Sequence, residues 1–159
     1  MVKDLIEKIL LRLEQRRQSA TTITIYDEAI YSEEILLNHE QICLAGLHYG
    51  HLQSLANNIR VPWVRFLDTA ISYDCRITLK LSVLPSGLLS PSMIRCWPVV
   101  FRDKLNRRLY ACTYHWIPAG FVRACESNSV LVLHCGQRLT QAAIDECSRL
   151  SISTVEGSD

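Results

Sequence analysis

Apolar and polar residues repeat along the chain with two different periods, which predicts a succession of helices and strands. Residues 61–73 carry apolar side chains at helical spacing, with Pro62 in the first turn, where its fixed φ angle is tolerated. Residues 76–83 change to a period of two, which predicts a strand with one face in solvent. A helix that leads into a strand is one arm of an α/β unit. The loop 85–91, rich in proline, glycine and serine, then lies where such folds usually bind ligands.

The remaining pattern predicts the other elements of a single small domain. We expect helices over residues 1–18, 48–58, 117–125 and 139–150, and strands over 22–26, 41–45, 96–101, 109–114, 129–134 and 152–155. Segment 27–37 is ambiguous between a helix and a single helical turn. The charged turn 102–108 predicts a β-hairpin, and the apolar run 129–134 predicts a strand covered on both faces. We therefore expect an α/β fold with a mixed, partly parallel sheet flanked by helices.

The N-terminal helix is amphipathic. Its charged residues surround a stripe of apolar side chains spaced three and four residues apart: Val2, Leu5, Ile6, Ile9, Leu10 and Leu13. The chain divides into this helix (1–18), a short linker (19–22), the α/β domain (23–156) and a tail (157–159). Such a helix can pack on its own domain or bind a groove on a partner, and the pattern alone favours the first arrangement.

Length and charge narrow the class of protein. With 159 residues the chain can bury a core of its own, and a formal net charge of +1 does not favour a nucleic-acid-binding surface. Its apolar runs are shorter than the roughly 18 residues of a membrane span, and Asp4 and Glu7 argue against a signal peptide. The seven cysteines are odd in number and contain no CxxC motif. We expect free thiols in a reducing cytosol, mostly buried in the core.

Few residues point to a reaction. His48 and His51 could bind a metal with Cys43 nearby, although no further ligand can be named and packed histidines are the other interpretation. Cys135 ends a predicted strand near a helix N-terminus, where a thiol could be activated, or it is simply a packed thiol. No turn has the glycine spacing of a phosphate-binding loop. We assign no catalytic residue, cofactor or metal.

The layout resembles the PduM family of accessory proteins, which are encoded with bacterial propanediol-utilisation microcompartments. Three stretches carry the resemblance: LIEKILLRLEQRR leading into TTITI, GLHYGHLQSLANN before VPWVRFLDTAISYDCRITLKL, and SVLVLHCGQRLTQAAIDECSRLSISTVE at the end. The central and final stretches also resemble the C-terminal half of flavoprotein-type α/β proteins. The Gly/Ser-rich phosphate loop of a flavin domain is missing, however.

The resemblance implies a non-catalytic component of a cytoplasmic microcompartment, which aids assembly by binding shell proteins or encapsulated enzymes. It implies neither a nucleic acid nor a membrane as partner. Short amphipathic terminal helices are the usual targeting device in such systems, so the resemblance favours partner binding by the six apolar residues of the N-terminal helix. The alternative is a small flavin- or nucleotide-binding α/β protein, or a thiol enzyme that uses Cys135.

Overall fold

The computed structural model describes residues 1–26 and 31–158, and it has the expected α/β fold. The helices in these residues are α1 (Val2–Gln18), α2 (Glu33–Asn38), α3 (Tyr49–Ala56), α4 (Pro62–Ser72), α5 (Pro91–Cys96), α6 (Ala119–Arg123) and α7 (Gln141–Leu150). The strands are β1 (Ala20–Thr24), β2 (Gln41–Leu47), β3 (Arg76–Leu81), β4 (Val100–Arg102), β5 (Leu109–Tyr110), β6 (Trp116–Ile117), β7 (Val130–Leu133), β8 (Arg138–Leu139) and β9 (Ser153–Glu156).

The first sheet has the strand order β1-β2-β3-β4, and all of its pairs are parallel. Ile23, Leu44, Leu79 and Phe101 lie side by side across it and are fully buried. Right-handed crossovers between neighbouring strands in chain order place every connecting helix on the same face. Accordingly, buried side chains of α2, α3, α4 and α5 share one core with this row.

The opposite face of the first sheet is open to solvent, and we call it the open face. Along β3 the buried residues Ile77, Leu79 and Leu81 alternate with exposed or half-buried residues, as the period of two predicted. Two rows of side chains cross the open face: Thr22, Cys43, Thr78 and Val100 in one, and Thr24, Ala45, Lys80 and Arg102 in the other.

The C-terminal half adds a sheet of order β5-β7-β9 and the short pair β6-β8, again with parallel pairing. Val130 and Val132 of β7 pack in the first core, whereas Leu131 packs in a second core with α6 and α7. The expectation that this strand is covered on both faces is therefore confirmed. Cys112, Cys125 and Cys147 all lie in the second core.

The predicted hairpin around residues 102–108 is wrong, because its two strands pair with other strands and the pairs between named strands are parallel. β4 pairs with β3 and β5 pairs with β7, and a single antiparallel bridge between Arg102 and Arg108 joins the two segments. Part of the predicted strand 96–101 is helical, since α5 runs to Cys96. The Ser90 hydroxyl caps α5 by accepting a hydrogen bond from Met93 N at 3.0 Å, which ends the preceding loop in a helix.

Several predicted boundaries also shift. The predicted linker is mostly strand, because β1 begins at Ala20 and only Ser19 separates it from α1. β8 precedes α7, which starts two residues later than predicted. Within the ambiguous segment 27–37, α2 begins at Glu33, while residues 27–30 lie outside the described residues. No helix in residues 1–26 and 31–158 has the length and hydropathy needed to cross a membrane.

The predicted tail is part of the fold as far as Ser158. Gly157 N donates a hydrogen bond to Leu133 O at 2.7 Å, and Ser158 N donates one to Leu89 O at 2.8 Å. The second of these bonds holds the loop 85–91, which the sequence placed at a ligand site. The C-terminal segment therefore lies against this loop. Asp159 is outside the described residues.

Candidate partner-binding surface

Helix α1 forms where the sequence predicted it and buries none of its residues. Asp4 in the first turn and Arg16 and Arg17 in the last turn suit the helix dipole. We call the six apolar side chains on one side of α1 the α1 stripe, and their exposed fractions are high: Val2 70%, Leu5 59%, Ile6 50%, Ile9 49%, Leu10 59% and Leu13 49%. The helix thus brings these residues together and leaves them uncovered by their own domain.

One arginine at the C-terminal end of α1 fixes the helix to the domain. Arg16 Nε donates to Leu36 O at 2.9 Å, and Arg16 Nη2 donates to Tyr73 O at 2.7 Å. Both carbonyls belong to residues at or near the C-terminal ends of helices, α2 and α4, where carbonyl groups lack partners within the helix. Arg16 therefore satisfies groups on two different helices.

Further contacts surround this anchor. Arg16 Nη2 also donates to Cys75 Sγ at 3.4 Å, and Glu40 N donates to Arg16 O at 3.1 Å. Burial raises the pKa of the Cys75 thiol, while its hydrogen bond to the Arg16 guanidinium acts in the opposite direction. The last turn of α1 is consequently held in place, and the turns that carry the α1 stripe extend beyond it.

The sequence did not identify the role of Arg16. The helix dipole accounts for a basic residue at this position without any tertiary contact, so the pattern contained no signal for the anchor. The stripe itself was predictable, because amphipathic periodicity is a local property.

Basic residues border the α1 stripe. On a helical projection Lys3, Arg12 and Arg17 lie nearest to it and Glu14 lies just beyond Lys3, whereas Asp4 and Glu7 lie farther round the helix. The three basic side chains form no ion pair within residues 1–26 and 31–158. The surface that α1 offers is therefore apolar at its centre, with three basic residues and one acidic residue, Glu14, at its margin.

His48 and His51 meet near the carboxyl ends of β1 and β2. Their ring centroids are 4.0 Å apart, and Tyr26 Oη lies 2.9 Å from His48 Nε2. His48 N donates to His51 Nδ1 at 3.2 Å, which requires that nitrogen to be unprotonated. Burial lowers the pKa of His51, and the neighbouring His48 lowers it further. The contact between the two histidines is one of packed and hydrogen-bonded rings.

The structure does not join Cys43 to this histidine pair as a metal site. In the described part of the chain, no three or more His, Cys, Asp and Glu side chains are grouped so that they could hold a metal ion. Cys43 lies on the open face of β2, whereas His48 caps the start of α3 beyond the end of that strand. The three residues are therefore close in the sequence, but their side chains are not placed to bind one metal ion together.

The seven cysteines are free, but fewer are buried than expected. Cys112, Cys125 and Cys147 are buried, Cys43 and Cys75 are half-buried, and Cys96 and Cys135 are exposed. Burial raises the pKa of Cys125 to about 11, with a further contribution from the two neighbouring thiols. Buried thiols of raised pKa are poor nucleophiles at neutral pH.

Cys135 is not at the start of α7. The strand β8 intervenes, and the N-cap position belongs to Thr140, whose hydroxyl accepts a hydrogen bond from Ala143 N at 3.2 Å. The electrostatic advantage that the sequence offered for this thiol is therefore absent.

Comparisons with known proteins give one finding. A family model named PDU_like and described as "Putative propanediol utilisation" matches residues 4–153, nearly the whole chain. No curated protein and no solved structure shows a significant match. The matched range includes most of α1 together with all the strands of the first sheet.

Proposed function

Because the chain belongs to the PDU_like propanediol-utilisation family, we propose that it is an accessory component of the propanediol-utilisation microcompartment. In this role it aids assembly inside the bacterial cytoplasm by binding shell proteins or encapsulated enzymes. The contact is made by the α1 stripe. The finer resemblance to the PduM family agrees with this role.

The observation that carries the proposal is the exposure of the α1 stripe on a helix whose base is fixed. Six large apolar side chains on one side of one helix are at least 49% exposed. Exposed apolar patches of this kind mark interaction sites, and burial of each side chain contributes on the order of 1 kcal/mol before the cost of ordering. The Arg16 anchor reduces that cost by holding the last turn of the helix.

We further propose that the protein is not an enzyme and has no cofactor. Two of the three places that the sequence offered for chemistry are arranged differently in the fold. The C-terminal segment lies against the loop 85–91, and Thr140 rather than Cys135 caps α7. A flavin absorption spectrum from the purified protein would contradict this part of the proposal.

The test is co-fractionation of the protein with purified propanediol-utilisation microcompartments. We expect the full chain to be enriched with the microcompartments and the double variant Leu5→Glu, Ile9→Glu to lose that enrichment, because two carboxylates would enter the apolar contact. A chain that lacks residues 1–15 should behave like the double variant. This truncation retains Arg16 and with it the contacts of the domain.

Leu11→Glu is the matched control. Leu11 is 58% exposed but lies on the side of α1 opposite the stripe, so this variant should be enriched like the unmodified chain. Thermal unfolding followed by circular dichroism should be the same for all variants. Equal enrichment of the double variant would show that α1 is not the contact, and a lost unfolding transition would show that α1 belongs to the core.

A further inference from the structure

The open face of the first sheet is a second surface without a covering layer. Parallel sheets in α/β proteins are normally covered on both faces. Here the helices that follow β1, β2 and β3 pack on one face, and Cys43, Ala45 and Val100 take no part in the core. A hollow of about 390 Å³ lies over this face, lined by residues that include Thr22, Cys43, Thr78 and Val100.

The side chains of the open face are small and uncharged at its centre. The row of Thr22, Cys43, Thr78 and Val100 presents methyl groups, one hydroxyl on each threonine and a thiol. Small and β-branched side chains form a smooth surface on which a helix can lie closely. The shape thus suits the apolar side of an amphipathic helix, the layer that covers such sheets in other α/β proteins.

The charges of the open face are all positive. Arg76, Lys80 and Arg102 project from it, and two of them already have carboxylate partners at the margin. Arg76 pairs with Glu40 at 3.2 Å, and Arg102 pairs with Glu126 at 3.1 Å. Lys80 forms no ion pair within residues 1–26 and 31–158. A carboxylate on an occupant of this face would therefore find in Lys80 a cation that pairs with no carboxylate of residues 1–26 and 31–158.

We propose that the open face is a docking surface for an amphipathic helix of another protein, with carboxylates bordering the apolar side of that helix. The α1 helix of a second copy fits poorly, because its stripe is bordered by Lys3, Arg12 and Arg17 and would place cations against Lys80. The open face is built from strands and the α1 stripe from a helix, so the two surfaces share no residue. A protein that binds one partner through the open face and another through the α1 stripe links two different proteins.

The test uses two synthetic helical peptides of 18 residues that share a leucine stripe, one bordered by glutamates and one by lysines. The readout is the alkylation rate of Cys43 by iodoacetamide, resolved by mass spectrometry of the Cys43 peptide. Saturating glutamate-bordered peptide should slow this rate by roughly tenfold, since it covers the thiol. The lysine-bordered peptide should leave the rate unchanged. Alkylation of Cys96, which is exposed on α5, should not respond to either peptide.

The charge requirement is tested with Lys80→Glu, with each rate compared to the same variant without peptide. This variant should lose protection by the glutamate-bordered peptide and gain it from the lysine-bordered one. The control is Lys104→Glu, which changes an exposed lysine in the turn after β4 and should behave like the unmodified protein. Equal protection by both peptides, or protection by neither, would overturn the proposal.

A second copy as occupant gives a different result. Cys43 would then be protected without peptide, increasingly so at higher protein concentration, and Leu5→Glu, Ile9→Glu would expose it. That outcome would also overturn the proposal. Loss of microcompartment enrichment in the same double variant tests only the α1 stripe, so the two proposals fail independently.

Discussion

At the scale of single residues, a few polar side chains fix the geometry of the chain. Asp103 is fully buried, and its carboxylate accepts hydrogen bonds from Leu105 N at 2.9 Å and Arg107 N at 2.8 Å. The Arg107 guanidinium supplies the opposite charge at 2.7 Å. A buried carboxylate is tolerated only when paired and hydrogen-bonded in this way. Asp103 thereby fixes the conformation of the turn that follows β4. β4 is an edge strand of the first sheet and so lies at one side of the open face.

His51 gives the molecule a dependence on pH. Its pKa is lowered in the folded state, so the unfolded chain binds more protons than the folded one as the pH falls through the ordinary histidine value of 6.5. We expect the free energy of unfolding to decrease from pH 7.5 to pH 5.5. In His51→Gln this decrease should be smaller. Urea unfolding at the two pH values measures the difference.

The control for this prediction is His115→Gln, which removes an exposed histidine from the C-terminal half. It should retain the pH dependence of the unmodified protein. An equal pH dependence in His51→Gln and the unmodified protein would show that the lowered pKa of His51, which burial causes first and His48 second, does not contribute.

At the scale of elements, α1 differs from the other long helices. Buried side chains in α3, α4 and α7 stabilise those helices through tertiary packing, whereas α1 buries none. In proteins most helical stability comes from tertiary packing of an amphipathic face rather than from the helix alone. Its anchor at Arg16 therefore supplies most of the tertiary stabilisation that α1 receives, and a partner that covers the stripe would supply the rest.

Substitution of Arg16 tests this view of α1. Arg16→Ala leaves Leu36 O and Tyr73 O without their donor, and we expect it to lower the free energy of unfolding by about 1–3 kcal/mol. Hydrogen exchange of the α1 amides should also become faster, because the helix loses its attachment. Urea unfolding and exchange mass spectrometry measure the two effects.

Arg12→Ala is the matched control, since Arg12 is an exposed arginine one turn earlier in the same helix. Its unfolding and amide exchange should be close to those of the unmodified chain. If Arg16→Ala behaved like Arg12→Ala, the hydrogen bonds of Arg16 would not be what holds α1.

At the scale of the whole molecule, two cores are joined around β7 and by the C-terminal segment. Gly157 N binds Leu133 O at the end of β7, and the next residue, Ser158, binds Leu89 O before α5. The segment therefore connects the second sheet to the helical layer of the first. A Cβ at position 157 would lie 2.5 Å from Pro91 Cδ and 2.6 Å from Leu89 O. Only glycine therefore fits where the C-terminal segment passes the loop before α5.

Gly157→Ala should consequently destabilise the protein. We expect a loss of about 1–3 kcal/mol, because backbone and a proline ring must move to admit the methyl group. The amide of Ser158 should exchange faster as its bond to Leu89 O is lost. Thermal unfolding and hydrogen exchange of the C-terminal peptide report these changes.

Gly120→Ala provides the comparison. Its added Cβ meets nothing within 4 Å, and alanine favours the helix α6 more than glycine does. This variant should be at least as stable as the unmodified protein. Equal stability of Gly157→Ala and Gly120→Ala would mean that the C-terminal segment detaches at no cost.

The sequence by itself determined the elements whose signal is local. The helical repeat predicted α1, α4 and the six residues of the α1 stripe, and the period of two predicted the solvent-facing side of β3. The apolar run predicted that β7 is covered on both faces. These predictions succeeded because each depends on which residues recur within a few positions of one another.

Only the tertiary structure decided how those elements combine. It paired β4 with β3 rather than with β5, left one face of the first sheet open, and placed Arg16 against two distant helix ends. Each of these results involves residues that are far apart in the chain. Strand pairing and helix docking depend on such long-range contacts, which the local periodicity of the sequence does not contain. The amphipathic helix α1 and its stripe were therefore visible in the sequence, whereas the Arg16 anchor and the open face required the fold.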